Sequence, residues 1–186
     1  MNSKVDLHMH SRASDGSDWI PGLLRKIQKL GIRTFALTDH DTIKGVQRME
    51  KIVPDGIRFI RGIELSCKTE VAKCHILGYN FDLKQKEFLD FVAAAYGVRI
   101  NKTHNRLRYM EEEFGFRFTA EEKEAQLKSP GKLQLKLLLE KKLRQLPKLQ
   151  AKKFAICRTG PCVNQFIVTG PIVYERIVIV ITHYRI

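Results

Sequence analysis

The chain has 186 residues, 44% of them hydrophobic and 28% charged, enough apolar material for one domain with a substantial core and too much for bulk disorder. No apolar stretch reaches the roughly 18–20 residues that a membrane helix needs, and the first residues have no apolar signal core, so the expectation is a soluble, cytoplasmic protein with no membrane partner; no protein partner is predicted. The net charge of +13 would point to nucleic acid, but residues 1–125 hold 21 Lys and Arg against 18 Asp and Glu while residues 126–186 hold 12 against 2. The basicity therefore belongs to the last third, which has no aromatic-basic motif that would make it a nucleic-acid contact.

In chain order, residues 4–10 read as a strand that ends in His8-Met-His10. Residues two apart in a strand point to one face, so both imidazoles leave the same side, with Asp6 starting the row. A turn through Ser14-Asp15-Gly16 adds a carboxylate just past the strand end. Residues 18–30 read as an amphipathic helix, with Asp18 as its cap, Pro21 in its first turn, a stripe of Ile20, Leu23, Leu24, Ile27 and Leu30, and Gly31 at its end. Residues 33–38 are mostly apolar, as suits a strand covered on both faces. A second helix is expected over 42–53, closed by Pro54, and a third strand over 58–65. A fourth strand over 73–79 is expected to run antiparallel to the third or to join it through a short loop. Strand–helix–strand–helix–strand implies parallel strands with right-handed crossovers.

Residues 84–125 read as helical and charged, and suit an inserted cap or a hairpin packed on the core equally. Residues 133–149 are Leu/Lys-rich and helical in pattern. Two Thr-Gly-Pro segments and an Ile/Val run over 176–182 follow; the run reads as a buried strand. The cysteines Cys67, Cys74, Cys157 and Cys162 form no CxxC pair and read as reduced thiols.

His8, His10, Asp15, His40, Glu64 and His75 fall at or near strand ends on one expected rim, the end of an α/β sheet that carries sites. Each alone has an ordinary reading: a satisfied core histidine, a turn at Asp15-Gly16, or helix capping by Asp39-His40-Asp41. Together they indicate a metal site. Imidazole and carboxylate without thiolate suit Zn, Mn or Fe better than Ca, and six candidates are too many for one tetrahedral ion, so two or three ions are expected. Clustered divalent ions can activate a bridging water and neutralise phosphate oxygens. Phosphoester hydrolysis is thus the natural chemistry, with amide or amidine hydrolysis as its competitor. No side chain is assigned as catalytic beyond a metal-bound water.

Asp6-Leu-His-Met-His10, Ser14-Asp15-Gly16, Thr38-Asp-His-Asp41 with Gly45, Gly62-Ile-Glu64 and His75-Ile-Leu-Gly78, in this order over residues 4–80, closely resemble the PHP (polymerase and histidinol phosphatase) superfamily. The resemblance implies an α/β fold, a distorted (β/α)7 barrel with a trinuclear metal site at its mouth. His8, His10, Asp15, His40, Glu64 and His75 would be the ligands, with Glu64 bridging ions. The motifs look most like the stand-alone phosphoesterase branch, which implies hydrolysis of a phosphomonoester or phosphodiester of a nucleotide or short oligonucleotide, a small phosphorylated partner. That branch inserts a helical region, which residues 84–130 resemble. Arg99 and Arg106 in it read either as phosphate holders or as solvated helix charges, and Lys132 resembles a phosphate-contacting position. Domains are accordingly expected at 1–83 (N-terminal barrel with the metal motifs), 84–130 (helical insertion or cap) and 131–186 (an atypical basic region, the remainder of the barrel). The family expects a late histidine, for which His183 stands, and then an Asp-x-His. No Asp occurs after Asp90, so the C-terminal part is read as incomplete, altered or truncated. The alternative function is therefore a metal- and phosphate-binding protein with little or no turnover.

Overall fold

The structure, a computed structural model, describes residues 4–68, 73–148 and 180–183. Cys157, Cys162, the Thr-Gly-Pro segments, the end of the 133–149 helix and the start of the 176–182 strand lie outside the described residues. The chain forms two compact units, 1–96 with 170–186, and 97–169.

The first unit is built on a mixed α/β sheet of five strands in the order β1 (Lys4–Met9), β2 (Ile32–Leu37), β3 (Arg58–Lys68), β4 (Lys73–Tyr79) and β5 (Val180–His183). β1, β2 and β3 run parallel, and β4 is antiparallel to both β3 and β5. Two helices make the crossovers, α1 (Ile20–Lys29) and α2 (Lys44–Met49). Strand β2, between β1 and β3, is buried at Phe35, Ala36 and Leu37, all with no exposure, as expected of a parallel strand covered on both faces. Ile20, Leu23, Leu24 and Ile27 of α1 pack with Phe35, Leu37, Val46 and Met49 in one core, each large side chain contributing about 1.5–3 kcal/mol by leaving water.

Several boundaries differ from the sequence expectation for local reasons. Asp18 does not cap α1. Trp19 precedes the first turn with no side-chain cap, and Asp18 pairs with Lys26 at 2.7 Å instead. α2 is shorter than 42–53: it starts at Lys44, after Asp41 turns the chain through a left-handed conformation (φ 54), and ends at Met49. β3 runs past residue 65 because its pairing with β4 extends from Gly62↔Tyr79 to Lys68↔Lys73. A second apolar cluster, Ile43, Ile63, Leu65, Phe88 and Val92, packs the start of α3 (Lys86–Phe114) with β3.

The second unit holds the rest of α3, α4 (Ala120–Lys128) and α5 (Lys132–Leu143). The helical run expected over 84–125 is broken at Gly115 (φ 71), where the Gly115 and Phe116 amides bond back to Glu111 and Met110 at 3.1 and 3.2 Å, a C-terminal cap that glycine adopts without strain. Thr119 and Glu122 then open α4 with a reciprocal capping box. Leu107, Met110, Phe114, Phe116, Phe118, Leu135 and Leu139 form this unit's core. No described helix is long and apolar enough to cross a membrane.

Candidate metal centre

The parallel strands deliver the candidate ligands to one end of the sheet. His8 lies in β1 and His10 just past its end. The main chain is tied there by the Thr38 amide and hydroxyl, which donate to the Met9 carbonyl at 2.7 and 3.1 Å. His40 follows β2 and makes an isolated parallel bridge with Glu64, so it stands where the pairing of β2 with β3 runs out. His75 on β4 is opposite Ser66, and Leu77 is opposite Glu64. Glu64 and His75 are therefore diagonal neighbours on one face of the hairpin.

These side chains meet around Glu64. Its Oε2 lies 2.9 Å from His8 Nε2, 2.9 Å from His10 Nε2 and 3.7 Å from His40 Nε2, and its Oε1 lies 2.7 Å from His75 Nδ1. Asp15 faces the other side of the row, 3.0 Å from His10 Nδ1 and 3.5 Å from His40 Nε2. The four rings form a continuous file, with centroids 5.1, 4.7 and 4.7 Å apart from His8 to His75. Three overlapping groups result, His8–His10–Glu64, His10–Asp15–His40 and His40–Glu64–His75, each with its donor atoms within 4.8 Å of one another.

This donor set fits divalent cations. It is all imidazole and carboxylate, and it concentrates two carboxylates and four rings in a space that a few positive charges would hold together. Glu64 has a side-chain exposure of only 5%. Burial works against its charge, but His10, His75, His40 and His8 together hold its carboxyl well below the usual range. Burial likewise opposes a charge on His10, yet the Asp15 and Glu64 carboxylates raise it to about 9. At neutral pH a cation entering these groups must displace that proton.

The surroundings contain residues with roles that the sequence did not display. Asp39, fully buried, accepts from the Ser11 amide, the Ser11 hydroxyl and the Ser14 hydroxyl, all at 2.7 Å. It therefore ties the loop carrying Asp15 to the end of β2. Asp41 accepts from the Ser66 amide and hydroxyl at 2.7 Å, anchoring its left-handed turn to β3. Asp39 and Asp41 are thus latches between segments, and not the helix caps of the ordinary reading. A Cβ at Gly45 would collide with the Asp39 carboxylate and the Leu37 side chain, so glycine is what lets α2 approach the latch. Tyr79 shares the Glu64 face of the hairpin, and its hydroxyl donates to the Leu7 carbonyl at 2.8 Å, fixing β1 beside His8.

The remaining candidates fall in both units. His183 on β5 is paired in register with His75. Arg99 and Arg106 belong to the second unit. Arg99 Nε donates to the Pro130 carbonyl at 2.7 Å, while burial and the neighbouring Arg99 charge both lower the pKa of Arg106. Lys132 opens α5 in the same unit.

The sequence matches the PHP domain family over residues 6–155. The chain belongs to that family. Among curated relatives of this PHP chain, a 5'-3' exoribonuclease of Haemophilus influenzae is 42% identical over 83 residues, covering 44% of this chain and 30% of the relative. A phosphoribosyl 1,2-cyclic phosphate 1,2-diphosphodiesterase of Eggerthella lenta is 33% identical over 102 residues, covering 53% and 37%. Each match thus takes in about a third of the curated relative's own length. In fold, a candidate metal-dependent phosphoesterase of Bifidobacterium adolescentis superposes with a TM-score of 0.68 at 21% identity, over 91% of this chain and 59% of the other. An amidohydrolase of Chromobacterium violaceum, solved with bound sulfate and no metal, gives 0.53 at 26% identity, over 60% and 38%.

Proposed function

We propose that this PHP-domain chain is a metal-dependent phosphoesterase that hydrolyses a phosphomonoester or phosphodiester of a nucleotide or short oligonucleotide. The observation that carries the reading is the sharing of one buried carboxylate, Glu64, among imidazoles from β1 and β4, with Asp15 and His40 completing the adjoining group. In this reading His8, His10, Asp15, His40, Glu64 and His75 hold two or three Mn, Zn or Fe ions, and His183 adds a ligand from β5. Bound divalent ions supply Lewis acidity toward phosphate oxygens and acidify a water beside them.

The chain's own residues do the rest. Glu64 and Asp15 provide the negative charge, and the Asp39 and Asp41 latches keep the donor atoms in place before a cation arrives. Arg99, Arg106 and Lys132 orient the substrate phosphate. In the same reading the fold is a (β/α)7 PHP barrel, with its metal-binding part over 1–83, a helical cap over 84–130 and the remainder over 131–186, and the protein acts in the cytoplasm. The names of the Haemophilus and Eggerthella relatives, both of enzymes that cleave phosphoric esters, support the reaction class.

The test is product formation from a panel of nucleotide monophosphates, bisphosphates and short oligonucleotides. Phosphate release and chromatography would be followed with Mn²⁺ and with a chelator. Chelator-sensitive turnover is expected. No product from any substrate, by protein whose ions have been counted by elemental analysis, overturns the reading in favour of a metal- and phosphate-binding chain with little turnover.

A further inference from the structure

On the opposite face of the hairpin that carries Glu64 and His75, two thiols stand across from each other. Cys67 of β3 and Cys74 of β4 are direct partners in the antiparallel register, one step along from Ser66↔His75. Side chains alternate along each strand, so Glu64, Ser66, His75 and Tyr79 share the candidate-site face, and Leu65, Cys67, Cys74 and Ile76 share the other. There Cys67 and Ile76 pack against the Ile43, Ile63, Leu65, Phe88 and Val92 cluster. Both cysteines are half-buried and free. Directly opposed residues of an antiparallel pair have Cα atoms about 4.5–5.5 Å apart, inside the roughly 4.4–6.8 Å span of disulfides. Burial and then the neighbouring Cys74 push the Cys67 thiol up to about 11.

We propose that Cys67 and Cys74 are a reversible disulfide site, closed by a low-molecular-weight disulfide such as oxidised glutathione, which staples β3 to β4 behind Glu64 and His75. The exchange is balanced. One chain sulfur attacks the glutathione disulfide and releases one glutathione thiol. The second chain sulfur attacks the mixed disulfide and releases the other. Two S–H bonds of the chain are lost and one S–S bond forms, the glutathione S–S bond is cleaved, and the two electrons and two protons leave on the two glutathione molecules. The register already opposes the two residues, so closure needs no slip of the hairpin. The enclosed loop is short, so the bond acts mainly by preventing the strands from separating beside His75.

The experiment treats the folded full-length chain with oxidised glutathione, alkylates the remaining thiols, and measures intact mass and a non-reduced tryptic digest. The expected product has lost two hydrogens and links peptide 62–68 to peptide 74–84. Dithiothreitol reverses it, and C67S and C74S each abolish it. Hydrogen exchange across β3 and β4 slows in the oxidised form. Thiols that stay alkylatable, glutathione adducts that persist on both residues, or a linkage running to Cys157 or Cys162 overturn the proposal. None of these readouts uses phosphoester turnover, so the result stands apart from that of the proposed function.

Discussion

Replacing Asp39 separates the value of its hydrogen bonds from the cost of its charge. The carboxylate is fully buried and receives three hydrogen bonds of 2.7 Å, two from Ser11 and one from Ser14. Burial nevertheless outweighs those bonds and pushes its pKa above the usual range, so in the folded chain the ionised form is less favoured than in water. Asp39→Ala removes every acceptor. The Ser11 amide cannot reorient, and a buried donor left in this way costs about 1–3 kcal/mol. The two hydroxyls can rotate toward other partners, so each adds about 1 kcal/mol, for a total loss near 3–4 kcal/mol after the buried charge is relieved. Asp39→Asn keeps one carbonyl oxygen for the Ser11 amide and the Ser14 hydroxyl, leaves the Ser11 hydroxyl free to accept from the new amide, and removes the charge. It should stay within about 1 kcal/mol of the parent. Urea unfolding in chelator measures both, and Mn²⁺ titration should find D39A about 10–100-fold weaker, because the Asp15 loop is no longer tied down. D39N as damaging as D39A, or D39A as mild as D39N, would refute this reasoning.

Three further outcomes follow from Glu64, Tyr79 and Glu122. Glu64 belongs to two of the three donor groups and Asp15 to one, so E64Q should retain fewer ions than D15N after dialysis. Its affinity should fall by more than the ~10–100-fold typical of outer-shell partners; equal retention in elemental analysis would count against Glu64 as the shared ligand. Y79F deletes only the bond to the Leu7 carbonyl. It should cost about 1 kcal/mol of stability but weaken Mn²⁺ binding roughly tenfold through His8, and unchanged binding would remove Tyr79 as a positioning residue. In the second unit, burial works against the Glu122 charge, but Lys142 at 2.7 Å and the Thr119 amide hold its pKa below the usual range. A depressed carboxyl contributes stability above its unfolded value, near 4.5, that is lost as the pH falls through the folded value. The E122Q chain should therefore show a flatter acid limb by circular dichroism, whereas parallel acid transitions would exclude this linkage.

The parts of the fold that local periodicity encodes were legible in the sequence. His8 and His10 share a face because strand side chains alternate, and the α1 stripe and the apolar β2 run followed the same logic. The latch roles of Asp39 and Asp41 were hidden because their partners are distant in sequence: Ser11 and Ser14 for one, Ser66 for the other. No local pattern distinguishes such a latch from a helix cap. The length of β3 was hidden for a related reason, since its last residues are strand only by pairing with β4. The break after α3 had a readable signal in Gly115 and the Thr119-x-x-Glu122 capping box. Tyr79 had none, because its partner lies on β1.

His10 links the donor groups in a way that sets a further expectation. Its Nε2 faces Glu64 at 2.9 Å and its Nδ1 faces Asp15 at 3.0 Å. A neutral imidazole has one lone pair and one N–H. Whichever nitrogen serves as a ligand, the other is left to donate to the carboxylate on its side, so His10 cannot be a ligand in both of its groups at once. Filling one group fixes the tautomer seen by the other, and the opposing carboxylate holds the ring in place. His8 lies at the same 2.9 Å from the same Glu64 oxygen but belongs to one group only. H10A should therefore lose the ion of the group that His10 ligates and also weaken the other, whose carboxylate the ring holds, while H8A weakens its own group alone; elemental analysis of the dialysed variants reads the difference. Equal ion counts in H8A and H10A would show that the rings act independently and that the shared position of His10 carries no coupling.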